Sequence, residues 1–207
     1  MMIYNNDSLP PEESREDAAE LVFQEATEES NLIGLSGDVS EAAAQQIILT
    51  LLTFNGGKIL NSDASMFEDV DDIEFFLSSS GGCVNEMFAI YDIMRLVKAN
   101  RDIATFGYGK IASAAVPLLA AGTPGKRYIG KHTRLMLHHC SSNASGPHPN
   151  VRSNFEELKK VEEMMIQALA DNSNLSVGEI YNIMSRNTDE FFSAEEALEM
   201  GIVDKII

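Results

Sequence analysis

The chain has 207 residues and 44% hydrophobic content, enough for one compact domain with a sizeable core. Against 15 lysines and arginines stand 32 carboxylates, a formal net charge of −17, which makes nucleic acid and anionic membranes poor partners. No apolar run approaches the ~18 residues of a membrane span, the N-terminus is acidic rather than signal-like, and two cysteines build no disulfide framework, so the cytoplasm is the expected location.

Residues 1–30 are polar, with Pro10-Pro11 and many carboxylates, and read as a flexible acidic arm with a short helix over 14–25. Residues 31–207 read as one domain. NLIGLS (31–36) is a first strand, and Asp38 with Glu41 matches a capping box that opens a helix to about residue 52. Its face carries Ala44, Ile47, Ile48 and Leu51. A long loop covers 54–72, and IEFFL (73–77) is a buried strand. Val84, Met87, Ile90, Tyr91, Met94 and Val97 keep helical spacing. Residues 103–106 form a strand, and a helix with Pro117 near its first turn ends at GTPG (122–125). Strands follow at 127–129 and 134–138. Residues 140–150 are polar and rich in Pro. A long helix then shows the apolar stripe Phe155, Leu158, Val161, Met165, Leu169, broken by the single charge of Glu162. Ser176 with Glu179 and Ser193 with Glu196 open two short helices, and IVDKII closes the chain as a strand. Alternating strands and helices predict an α/β fold with mostly parallel pairing.

Three segments carry the parts of a serine hydrolase. GYGKIASAAVPLLAAG (107–122) holds Ser113 among small residues, after a Gly-x-Gly turn and before a helix, the setting of a nucleophile at a strand-to-helix elbow. RLMLHH (134–139) is an apolar strand that delivers a histidine. SSSGGCV (78–84) is a glycine turn able to present backbone N–H groups to an oxyanion. Cys83 and Cys140 lack metal-site spacing and read as packing residues, so no metal and no cofactor is expected.

From about Leu32 to Ile207 the sequence resembles the proteolytic subunits of Clp-type ATP-dependent proteases. Six segments stand in the family's order. They are SSGG (79–82), MFAIYDIMRLVK (87–98), GKIASA (109–114), AGTPGKR (121–127), RLMLH (134–138) and FSAEEALEMGIVD (192–204). The first carries Ser where the family has Pro. The resemblance implies a crotonase-like spiral of ββα units with a protruding helix–strand handle, here about residues 140–172. It implies Ser113 as nucleophile, His138 as general base, and the N–H groups of Gly82 and Ala114 as oxyanion donors, with Gly81 freeing the turn. His139, adjacent to His138, points to the other face of the strand.

The third triad member departs from the family pattern. An aspartate is expected before FSA, where this chain reads MSRNTDEF (184–191). Counting back without gaps gives Ser185, a two-residue shift gives Asn187, and Asp189 is the nearest carboxylate. Asp189 is taken as the acid, with Asn187 and Ser185 as alternatives. The resemblance further implies a serine endopeptidase that cuts unfolded polypeptide inside stacked heptameric rings, a tetradecamer of this chain, fed by a Clp-type ATPase. The arm and the 55–72 insertion fall outside the family pattern. The competing expectations are a catalytically impaired subunit of a mixed ring and a crotonase-fold acyl-CoA enzyme.

Overall fold

The computed structural model describes residues 31–56, 71–141, 145–186 and 188–207. The arm (1–30), most of the insertion (57–70), three residues of the polar segment (142–144) and Asn187 lie outside them, and so do the readings made for them.

The chain opens with β1 (Leu32–Val39) and α1 (Glu41–Phe54). The helix is capped by Ser40, whose hydroxyl accepts the Ala43 N–H at 3.3 Å. Asp38, expected as the cap, belongs to β1 instead, because the strand runs three residues further than NLIGLS. Then come β2 (Ile73–Gly82), α2 (Val84–Val97) and β3 (Ile103–Ala112). Both strands absorb segments expected as turns. Gly81 and Gly82 are held in the sheet by β1 and Gly107 by its neighbours on both sides, whereas Gly109 falls in an irregularity of β3. Next are α3 (Ala115–Ala120), β4 (Arg127–Ile129) and β5 (Arg134–Leu137). Pro117 is the third residue of α3, where an N–H has no partner within the helix anyway. The remaining elements are α4 (His148–Ala170), α5 (Val177–Met184), β6 (Glu190–Phe192), α6 (Ala194–Glu199) and β7 (Lys205–Ile206). Of the three expected capping boxes, the two at Ser176/Glu179 and Ser193/Glu196 form.

The sheet is α/β in pattern, with the order β1-β2-β3-β4-β7; β5 pairs with β3, and β6 with β5. All pairs are parallel except β5–β6. Parallel neighbours need a crossover, and α1, α2 and α3 supply the first three. Their apolar faces form the core with the sheet: Leu51, Phe75, Leu77, Met87, Ile90, Met94 and Leu119 are at most 1% exposed. Truncating any one of the Leu, Ile or Met side chains here to Ala costs about 2–5 kcal/mol.

One irregularity in β3 organises the whole. Leu77 of β2 pairs with Gly107 and Ser79 with Ile111, so β3 carries extra residues between the two pairs. Gly109 takes φ +65° within them, a conformation that costs glycine nothing. Before this bulge, β3 pairs with β4 (Thr105 to Gly107); beyond it, β3 pairs with β5 (Lys110 to Ala112).

Two of the family-like motifs meet in a structural clamp. Asp204 accepts the N–H groups of Gly125 (2.7 Å) and Arg127 (3.0 Å) and pairs with the Arg127 guanidinium at 2.6 Å. Arg127 also donates to the carbonyl of Asn172, whose amide reaches Tyr91 Oη at 2.7 Å. Burial works against ionisation of Asp204, but the hydrogen bonds and charge of Arg127 outweigh it and hold the carboxyl below the usual range. A depressed carboxyl contributes stability above the unfolded-state pKa of about 3.9, and that stability is lost as pH falls through the folded value. Asp204→Asn is therefore expected to lower unfolding stability by about 2 kcal/mol at pH 7. Urea titrations at pH 7 and in acid should show the gap to wild type narrowing in acid; an equal gap contradicts the clamp's ionic character.

Candidate active site

The carboxyl ends of β2, β3 and β5 converge on one edge, where open parallel sheets hold ligands. Register explains the meeting. Ala112 at the end of β3 pairs with Met136 of β5, so Ser113 lies one residue past the pair and His138 two residues past it. The Ser113 N–H donates to the Met136 carbonyl at 2.9 Å, which spends that amide and fixes the elbow to β5. Ser113 has φ +53°, a left-handed conformation that costs a non-glycine residue about 1–3 kcal/mol. The helix α3 begins two residues on, after its N-cap Ala114, and the Val116 N–H returns to the Ser113 carbonyl at 3.0 Å.

Gly81 lies against this elbow. A Cβ there would stand 2.7 Å from both the Ala112 oxygen and the Ser113 Cβ, and 2.9 Å from the Ala114 nitrogen. Its φ of +89° is the second reason for glycine. The Gly81 N–H donates to the buried Ser79 hydroxyl at 3.1 Å, which aims the end of β2 past Ser113.

Ser113 and His138 line a common cavity of about 500 Å³. Ser80, Gly82 and Cys83 face it from β2 and the start of α2, and Asn154, Glu157, Leu158 and Val161 wall it from α4. Asp189 stands behind His138, its Oδ1 3.6 Å from Nδ1. This too is a matter of register. β6, which the sequence reading missed, runs antiparallel to β5, with Leu137 opposite Glu190, so His138 and Asp189 follow at the next step. The turn before β6 is tied by Arg186 and Thr188, which both reach the Glu190 carboxylate, at 3.0 and 2.9 Å. Asp189 is 55% exposed. Ser185 is placed apart: it ends α5 and its hydroxyl donates to the Asn182 carbonyl.

His139 turns away from His138 toward α4, where its Nδ1 lies 2.8 Å from Glu162 Oε1. The same oxygen accepts the Cys140 N–H at 2.9 Å. The lone charge in the apolar stripe was the signal for this contact, since a half-buried carboxylate needs partners. Burial, helped by the Glu162 charge, pushes the Cys140 thiol up to about 11, so it is a poor nucleophile at neutral pH. Among the described residues no group of three or more His, Cys, Asp or Glu is placed to hold a metal ion, and no helix is long and apolar enough to cross a membrane.

An α/β sheet whose parallel strands end on one cleft, with a serine and a histidine lining it and a carboxylate beside the imidazole, is the class this structure defines. The chain belongs to the Clp protease family, whose profile matches residues 14–207, beginning inside the acidic stretch. It is 37% identical over 136 residues to the ATP-dependent Clp protease proteolytic subunit 2 of Bifidobacterium longum (strain NCC 2705), covering 66% of this chain and 64% of that one. It is 38% identical over 141 residues to subunit 3 of the same protease from Frankia casuarinae (strain DSM 45818 / CECT 9043 / HFP020203 / CcI3), covering 68% and 64%. Against subunit 2 of that strain it is 36% identical over 141 residues, covering 68% and 63%. The matched region thus spans slightly under two thirds of these relatives' length.

Two outcomes follow from the geometry. Gly81→Ala is expected to lose about 2 kcal/mol or more in chemical denaturation, from the left-handed φ and the contacts with the Ser113 elbow; an unchanged midpoint contradicts the packing described. At pH 8, iodoacetamide should modify the exposed Cys83 first, with Cys140 slower than an ordinary thiol by roughly 100-fold. Peptide mass mapping over time reads the order, and equal rates contradict it.

Proposed function

We propose that this chain is the proteolytic subunit of a Clp-type protease and hydrolyses peptide bonds with Ser113 as nucleophile. The observation that carries the proposal is the shared cavity: Ser113 on its strained elbow and His138 just past the end of the neighbouring strand both face it, with Asp189 behind the imidazole. Nδ1 of His138 is the nitrogen nearest Asp189, which leaves Nε2 for Ser113. In the proposed reaction Ser113 Oγ attacks the peptide carbonyl carbon while Nε2 takes the hydroxyl proton. The carbonyl electrons move onto oxygen, and the N–H groups of Gly82 and Ala114 bind that oxyanion. Collapse breaks the C–N bond, and the imidazolium gives its proton to the leaving amine. Water, activated by His138, then cleaves the acyl–serine ester by the same steps.

Asp189 orients the ring and stabilises the imidazolium. Its exposure weakens that effect relative to a buried acid. The substrate is unfolded polypeptide, for the cavity is an open cleft bounded by α4 and suits an extended chain. Stacked heptameric rings of this chain complete the proposal. Phe155 and Met164 on α4 are 54% and 52% exposed, and a ring-to-ring contact through α4 covers them. The row of stacked rings Tyr108, Phe76, Phe106 and Tyr128, with neighbouring centroids 4.7–6.0 Å apart, supports docking of a Clp-type ATPase on that face of the sheet. The cytoplasm is the proposed location.

A short fluorogenic peptide tests the chemistry without an ATPase. The wild type is expected to hydrolyse it, and Ser113→Ala to lose at least roughly 10³-fold in kcat. Asp189→Asn should lose roughly 10²-fold, less than the ~10⁴ of a buried acid. Hydrolysis undiminished in Ser113→Ala, or absent from folded wild type, rejects the proposal.

A further inference from the structure

Glu162 lies on the row by which α4 seats itself. Leu158 and Val161 are half-buried before it, and Met165 and Ile166 are buried after it. Its side chain is 17% exposed, and one oxygen meets two donors, the Cys140 N–H at 2.9 Å and His139 Nδ1 at 2.8 Å. Those two residues follow His138 directly. The β5–β6 ladder holds the chain as far as Leu137, and beyond it the Glu162 carboxylate takes the next backbone N–H but two. His138 is therefore suspended between a strand pair on one side and a helix-borne carboxylate on the other.

We infer that Glu162 is a positioning residue for the hydrolysis proposed above: by gripping His139 and Cys140 it fixes the backbone that carries His138. The inference rests on that proposal. It has a physical corollary. The helix that supplies Glu162 also walls the cavity with Asn154, Glu157, Leu158 and Val161. One body thus sets both the width of the cleft and the place of the imidazole. A shift of α4 that opens the cavity also pulls on the segment after His138, so cavity shape and proton transfer change together. Neither Glu162 nor His139 faces the reacting atoms, so they act through His138 and not on substrate.

The test compares wild type, Ser113→Ala, Glu162→Ala, Glu162→Gln and His139→Ala on the fluorogenic peptide, with thermal unfolding and particle size recorded for each. Glu162→Ala is expected to lower kcat roughly 10- to 100-fold with KM changed less than about twofold, the mark of misplaced chemistry. Glu162→Gln keeps an acceptor oxygen for both donors and should recover most of kcat. His139→Ala removes one of the two bonds and should fall between them. A folded Glu162→Ala with wild-type kcat, or a Glu162→Gln as slow as Glu162→Ala, overturns the inference. If Glu162→Ala does not fold, His139→Ala decides: wild-type kcat overturns the inference, and a lowered kcat at constant KM supports it. Peptide hydrolysis that Ser113→Ala abolishes, alongside indifferent Glu162 and His139 variants, sinks this inference alone. A wild type that hydrolyses nothing sinks it together with the proposed function.

Discussion

The change of partner within β3 is the constraint on which the rest of the structure depends. A regular strand keeps the same neighbour along its length. Here the extra residues around Gly109 bend β3, so its first half lies beside β4 and its second half beside β5. Without that bend β5 has no edge to join. With it, the ends of β2, β3 and β5 arrive at one place, and the residues just past them become a site. The serine and histidine are 25 positions apart in sequence (138 − 113), yet only one hydrogen-bonded pair, Ala112 with Met136, separates them in the fold.

Local strain sits where that convergence is tightest. Ser113 holds a left-handed backbone, which persists because its surroundings determine it from three sides. β5 takes its N–H, α3 takes its carbonyl, and Gly81 leaves room against its Cβ. The flanking alanines are small and buried, so the chain can turn from strand to helix there without displacing the core. Far from the cleft, the Arg127–Asp204 clamp binds the C-terminal segment to β4. Family-like motifs therefore divide into two kinds: those that form the cleft, and those that close the fold behind it.

Much of this was legible in the sequence, and the exceptions have physical reasons. Helices were readable because Ala44, Ile47 and Leu51, or Met87, Ile90 and Met94, repeat at the helical period and bury together. Both Ser-x-x-Glu boxes were readable because a cap is a local interaction. The extensions of β2 and β3 through their glycines were not, since glycine reads as a turn locally and only flanking strands keep it in a sheet. β6 was missed because three residues, Glu190, Phe191 and Phe192, carry no period, and its existence depends on the edge of β5. The same omission left the place of Asp189 open until the antiparallel register put it behind His138. Glu162 was visible as an interruption of a stripe, but its partners lie more than twenty residues away and no local pattern names them.

The central claim is that Ser113 and His138 act as a pair across one cleft. A peptidyl chloromethyl ketone tests it most directly, because such a reagent is held by the nucleophile while its methylene alkylates the partnered imidazole. Mapping the adduct by mass spectrometry on the intact particle is predicted to find the label on His138, and to find that label lost in Ser113→Ala. A label on His139, or labelling of His138 that is indifferent to the Ser113 hydroxyl, contradicts the account.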